Sequence, residues 1–176
     1  ALSWGSRQIL GQVGAWPVPA TGIHEIHVSR KGAFGRSVIT REEHRVPALG
    51  YVTRYGDIVS VLAGVVQRLG IASLRPARVT ALEETADEVV LTLEDGRTIA
   101  ASIAVQAEGG LFGAQAEKQT TRDYGQTAII AQVEASAPVA HRAYERFTDE
   151  GPLALLPQGD GYSMVWCGRP RTAQGL

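Results

Sequence analysis

His24 and His27 stand three residues apart in Ile23-His24-Glu25-Ile26-His27-Val28, and a histidine pair is the first place to look for a metal. The residues around them alternate as in a strand. On a strand, side chains three apart leave opposite faces, so the two rings cannot share one ion without a bulge. Surface or hairpin histidines are the better reading. Cys167 is the single cysteine. It has no base beside it in sequence, stands among apolar residues, and reads as an inert small hydrophobe with no disulfide partner in the chain. Glu83, Glu84, Asp87 and Glu88 could suggest paired carboxylates for acid–base work, but a solvated hairpin edge explains them more simply. No GxSxG, HExxH, GxxxxGK[ST] or CxxC occurs.

The elements that would position such residues alternate between helical and strand periods, which indicates mixed α and β structure. Ala1 to Gly14 reads as a helix capped by Ser3 and stopped by Gly14 and Pro17. Residues 23–30 and Ala33 to Thr40 form the two arms of a hairpin turning at Lys31-Gly32. Asp57 is expected to cap the next helix, where Ile58, Leu62, Val65, Val66 and Leu69 make one stripe for burial against a sheet and Gly70 ends it. Arg78 to Glu84, Glu88 to Leu93 and Thr98 to Gln106 read as an antiparallel meander. Its tight turn falls at Asp95-Gly96, because glycine adopts positive φ without a Cβ clash. Val89, Leu91 and Leu93 share its buried face, and Ile103-Ala104-Val105 should carry the third strand under deeper cover. Thr127 to Glu134, Pro152 to Leu156 and Tyr162 to Cys167 form a second β region, with a short helix around Ala140 to Phe147 and a loose tail from Arg171 to Leu176.

Charge narrows the function. Seventeen Lys and Arg balance eighteen Asp and Glu, so no overall field draws in nucleic acid. No apolar run reaches the roughly 20 residues of a membrane span, no cationic-then-apolar leader opens the chain, and the reading is a cytoplasmic α+β protein.

Several segments in order resemble one family. Ala1-Leu2-Ser3-Trp4-Gly5-Ser6 through Leu10, Gly14 and Trp16 are similar to the FAD-dependent hydroxylases of ubiquinone biosynthesis. So are Ile26-His27-Val28-Ser29 with Gly32, Phe34 and Gly35, then Val46-Pro47-Ala48-Leu49-Gly50-Tyr51-Val52. Arg122-Asp123-Tyr124-Gly125-Gln126-Thr127-Ala128 and Tyr144-Glu145-Arg146-Phe147-Thr148, running into Gly151-Pro152-Leu153-Ala154-Leu155-Leu156-Pro157, continue the likeness. It covers nearly the whole chain and points most closely to the 2-octaprenyl-6-methoxyphenol hydroxylase branch.

The resemblance implies a flavoprotein aromatic-hydroxylase fold, mainly antiparallel sheets with a few helices, in which two domains interleave. Residues 1–22 and 45–112 would be partial FAD-domain elements, 23–44 and 113–170 the substrate-binding domain. It implies that the chain is a central piece, without the family's GxGxxG segment before it and the Gly-Asp segment after it. In such enzymes NAD(P)H reduces FAD, and a flavin hydroperoxide delivers oxygen to an electron-rich ring. No FAD or nicotinamide is expected to stay on this piece alone.

For the cofactor the resemblance implies Tyr51, Glu108 and Gly109. Read without it, Tyr51 is equally a helix-entry packing residue, and Glu108-Gly109-Gly110 a turn after a strand. For the substrate, a prenylated phenol, it implies Phe147, Leu155, Pro157, Met164 and Trp166 on strands facing the flavin ring. Apolar walls suit a prenyl tail, although Leu155, Met164 and Trp166 read equally as sheet core at period 2. Contact with the inner-membrane surface or with other enzymes of the pathway is a further expectation. The alternatives are a non-catalytic ligand-binding module and a flavin hydroxylase of another aromatic.

Overall fold

The computed structural model describes residues 1–107 and 122–171. Packing divides the chain into two compact units, Ala1–Ile71 with Tyr124–Leu176, and Ala72–Asp123.

In the larger unit, β1 (Leu2–Ser3) leads directly into α1 (Trp4–Gln12). Ser3 is its N-cap as expected, with Oγ accepting from the Ser6 amide at 3.1 Å, and Gly14 takes positive φ just past the end. β2 (Ala20–Ile23) and β1 both pair with β5 (Gly50–Thr53) in a small three-stranded sheet. Gly50 is required there, because a Cβ at that position would lie 2.6 Å from the Leu2 carbonyl oxygen.

The main sheet contains β3 (Glu25–Arg30), β4 (Arg36–Thr40), β9 (Thr127–Val133), β10 (Arg142–Phe147), β11 (Pro152–Gln158) and β12 (Gly161–Gly168), in the order β4-β3-β10-β11-β12-β9. All its pairings are antiparallel except β3 with β10. The stretch from Ala140 to Phe147 is thus a strand rather than the expected helix. Ala140, Ala143 and Phe147 imitate a helical spacing, but residues 142–147 gain two ladders of backbone hydrogen bonds by sitting between β3 and β11, and tertiary pairing overrides local preference. His141, at φ 61, marks the chain's entry into that strand.

The helix α2 (Tyr55–Arg68) begins earlier than expected, with Arg54 as N-cap; Asp57 lies in its first turn, where a carboxylate complements the helix dipole without capping. Of the apolar stripe, Val65 is buried, whereas Leu62 and Leu69 remain exposed. The Arg68 guanidinium donates to the Gly14 carbonyl at 3.0 Å and ties the two helices' ends together.

The smaller unit is the meander β6 (Val79–Glu84), β7 (Val89–Leu93) and β8 (Thr98–Ala101), antiparallel throughout. Its turn is at Asp95-Gly96, with Gly96 at φ 84 and the Asp95 carboxylate accepting from the Arg97 amide and guanidinium. Leu93 is buried. The third strand stops at Ala101, and Ile103 and Val105 are exposed, because among the described residues no strand pairs with that stretch to cover it.

Candidate substrate-binding site

The register of the main sheet assigns every strand residue to one of two faces. Leu155 lies opposite Met164 and Tyr144, Leu153 opposite Trp166 and Arg146, and Pro157 opposite Tyr162. Ile129 and Ala131 extend the same face onto β9, and Ser29 and His27 extend it onto β3. Leu155, Pro157, Met164 and Trp166 therefore share a face. Phe147, paired with Pro152, is on the other, together with Val28, Glu145, Ala154, Leu156, Ser163, Val165 and Ile130. The five substrate residues expected from the sequence are not brought together; they split four to one.

The Phe147 face is turned toward the small sheet. Ile23 and Val52 pack with Ala143 of this face in the core, joined by Ile26, Leu49 and Leu156. Tyr51 is on the same β5 strand as Val52, half-buried between Trp16 at 5.0 Å and Trp4 at 6.5 Å, and the Arg7 guanidinium lies over both indoles. The Leu155 face is closed at one end instead, where the Tyr162 hydroxyl accepts from the Val139 amide at 2.9 Å and both Tyr162 and Pro157 are buried.

Where the Phe147 face approaches the start of α2, a cleft of about 700 Å³ opens between Arg54, Gln132, Val133, Glu134, Ala135, Gln158, Asp160 and Gly161. Its volume is in the range of small-molecule pockets. The Gln132 amide donates to the Gln158 side-chain oxygen at 2.5 Å, bridging β9 and β11 across β12. Gly161 is required at this end for the close approach of β9, since a Cβ there would come 2.5 Å from the Val133 carbonyl oxygen. Deeper along the sheet the face becomes apolar around Leu156, Ile130, Ala154 and Val165.

Glu145 interrupts that apolar surface. It is half-buried between Val28 and Ala154, and burial pushes its carboxyl above the ordinary carboxylate range. Neither it nor the glutamines were singled out by sequence. The signal was there in Ala143-Tyr144-Glu145-Arg146-Phe147, where strand alternation sets the acid on the same side as Ala143 and Phe147. The histidines find other roles. His27 is tilted against Tyr144 at 5.6 Å, while His24 lies between β2 and β3 and stacks on His141 at 4.2 Å. Among the described residues no three metal-ligating side chains cluster, and no helix is long and apolar enough to cross a membrane.

A six-stranded sheet packed by one face on a small three-stranded sheet, with one helix following β1 and another following β5, is an architecture found in flavoenzymes. The chain covers 99% of its length on CmlS, a flavin-dependent halogenase, at a TM-score of 0.74 and 14% identity, and 93% on Klebsiella pneumoniae HpxO complexed with FAD and uric acid, at 0.65 and 17%. These span 35% and 44% of those chains. The ubiquinone hydroxylase UbiL of Rhodospirillum rubrum is 31% identical over 184 residues, and the 3-demethoxyubiquinol 3-hydroxylase of Escherichia coli 25% over 186. The chain is homologous to the ubiquinone hydroxylases. Each alignment takes in 100% of it but only 43% and 47% of the relative, so the chain spans less than half the length of the curated relatives it matches. No protein-family model matches it.

The similar HpxO structure was solved with FAD, and Tyr51 is the described residue expected from the sequence to lie near such a cofactor. The Tyr51 ring is engaged by two tryptophans, and the neighbouring Gly50 is used up by the approach of Leu2 rather than forming an open cradle. Glu108 and Gly109 lie outside the described residues. Among the described residues no glycine-rich turn between a strand and a helix is present to hold a pyrophosphate, so they do not by themselves fit the whole cofactor.

Proposed function

We propose that this chain supplies the substrate-binding sheet of an FAD-dependent monooxygenase that hydroxylates a prenylated phenol in ubiquinone biosynthesis, with NAD(P)H as reductant. Residues 23–44 and 113–170 form the substrate side and 1–22 and 45–112 contribute to the flavin side, with Tyr51, Glu108 and Gly109 near the cofactor. The observation that carries the reading is the Phe147 face. It joins a roomy cleft with polar and charged walls at Arg54, Gln132, Glu134, Gln158 and Asp160 to an apolar floor, and it is turned toward the strand bearing Tyr51. A phenol ring needs a few polar groups to fix its orientation and its tail needs apolar walls. The protein's part in such chemistry is orientation and exclusion of water.

Of the substrate residues expected from sequence, Phe147 belongs to this face. Leu155, Pro157, Met164 and Trp166 form the reverse of the same sheet and act as its support. A polyprenyl tail partitions into lipid, so the proposal includes peripheral contact of the protein with the inner membrane or with neighbouring enzymes of the pathway. The test is direct: the protein expressed from its complete open reading frame is supplied with NADPH, dioxygen and a short-chain prenylphenol, and the product is analysed by mass spectrometry. Gain of one oxygen atom on the ring supports the reading. Reductant consumption without a hydroxylated product counts against it.

A further inference from the structure

We propose that Glu145 is the proton acceptor for the substrate's phenolic hydroxyl. This rests on the reading of the Phe147 face as the substrate site and goes beyond it by assigning a residue to the reacting group.

The register fixes the position of Glu145 at the centre of that face. Its cross-strand neighbours are Val28 on β3 and Ala154 on β11, and Val165 on β12 follows in the same row. Phe147 is two residues further along the same strand. Ala154 is four residues from Gln158 along β11, roughly 13 Å at strand rise, so a ring beside Glu145 leaves the length of one isoprene unit or more before the cleft's polar mouth.

A carboxylate in such a row is out of place for stability alone, since a charged group among apolar neighbours costs free energy unless something pairs with it. Among the described residues no hydrogen bond or ion pair engages it. The other charged side chain on this face of the sheet strands is Arg30, one register step away and opposite Phe147, while Arg54, Glu134 and Asp160 stand at the cleft's mouth. From β4, β9, β11 and β12 the same face presents Ser37, Ile39, Ala128, Ile130, Gln132, Ala154, Leu156, Gln158, Ser163, Val165 and Cys167, none of them charged. Burial lifts the affinity of the Glu145 carboxyl for a proton, which brings it closer to the phenol's and makes it a better base.

The step is a proton transfer. The phenolic O–H bond breaks, the proton moves to a Glu145 carboxylate oxygen, and the electron pair stays on the ring oxygen, where it enriches the ring carbons that are to be oxidised. No electron leaves or enters. The proton returns to the same oxygen as the product departs.

The experiment compares a short-chain prenylphenol with its methyl ether, which has no proton to give. Binding of each to the protein from the complete reading frame is measured by calorimetry, for the wild type, Glu145→Gln and Glu145→Asp, with circular dichroism as the check on folding. The wild type is expected to prefer the phenol by about tenfold, as one hydrogen bond to a charged acceptor provides. Glu145→Gln should reduce that preference to near unity and remove the acid limb of the kcat/KM profile; Glu145→Asp should keep part of both. A phenol-to-ether ratio in Glu145→Gln equal to that of the wild type would overturn the assignment while leaving the substrate site in place. Binding of neither compound to the wild type would overturn the site reading, and Glu145 with it.

Discussion

Leu155 lies directly opposite Met164 across β11 and β12, and the chain neighbours of Leu155, Ala154 and Leu156, leave the sheet on the other side. One residue of register thus decides which side of the sheet meets a substrate. If the Phe147 face is the site, Ala154→Leu should lower turnover of a prenylphenol by about tenfold or more, by intruding on the ring next to Glu145. Leu155→Trp should instead cost about 1–3 kcal/mol by overpacking the supporting face, with activity per bound flavin unchanged. Thermal melting beside flavin-normalised hydroxylation separates the two. The reverse pattern would place the substrate on the Leu155–Trp166 side.

Gly50 allows β1 to pair with β5. Replacing it by alanine drives a methyl group into the Leu2 carbonyl at 2.6 Å, a backbone atom that can retreat only by breaking the Leu2–Tyr51 and Ser3–Gly50 register. Gly50→Ala should therefore destabilise the protein by about 1–3 kcal/mol, readable as a lower urea midpoint with an unchanged slope. An unaltered midpoint would mean that β1 is dispensable to the small sheet.

Strand alternation was legible wherever both flanking turns were marked. Asp95-Gly96 and Lys31-Gly32 punctuate their hairpins, and the ends of β9, β11 and β12 follow from the apolar runs themselves. The strand β10 was not legible, because Ala140, Ala143 and Phe147 satisfy a helical spacing and the partner that overrides it, β3, is more than a hundred residues away in sequence. The same non-locality hid the proposed substrate face. Whether Leu155 or Ala154 faces the small sheet depends on how β11 docks on Ile23 and Val52, which no local pattern contains. The extent of β8 failed for the opposite reason: Ile103-Ala104-Val105 has strand composition, yet Val105 and its neighbours have no described strand to pair with.

The cofactor gives a third expectation. Tyr51 is committed to Trp4 and Trp16, and the described residues contain no phosphate-binding turn, so the 176-residue chain on its own should emerge colourless from gel filtration after incubation with FAD. The absorbance near 450 nm is diagnostic for flavin. A stoichiometric flavin spectrum in the protein peak would overturn the expectation.

His24 supplies the last, through pH. Its ring stacks on His141 with an interplanar angle of 15°, and its amide and carbonyl hold the His141 carbonyl and the Arg41 amide. Burial lowers the proton affinity of His24 below the usual 6.5, the nearby charge of His141 and then of Arg41 lower it further, and Glu42 opposes them. A base with a depressed folded-state pKa is neutral in both states well above pH 6.5, so its full contribution to stability is present there. As pH falls below 6.5 the unfolded chain takes up the proton first, and stability is lost until the folded-state value is passed. The melting temperature should accordingly decline between about pH 7 and pH 5, and the decline should be shallower in His24→Gln, which cannot be protonated. Melting curves of the two proteins across that range give the difference directly. Parallel curves would mean that the stacked pair accepts its charge without cost and that carboxylates elsewhere set the acid limb.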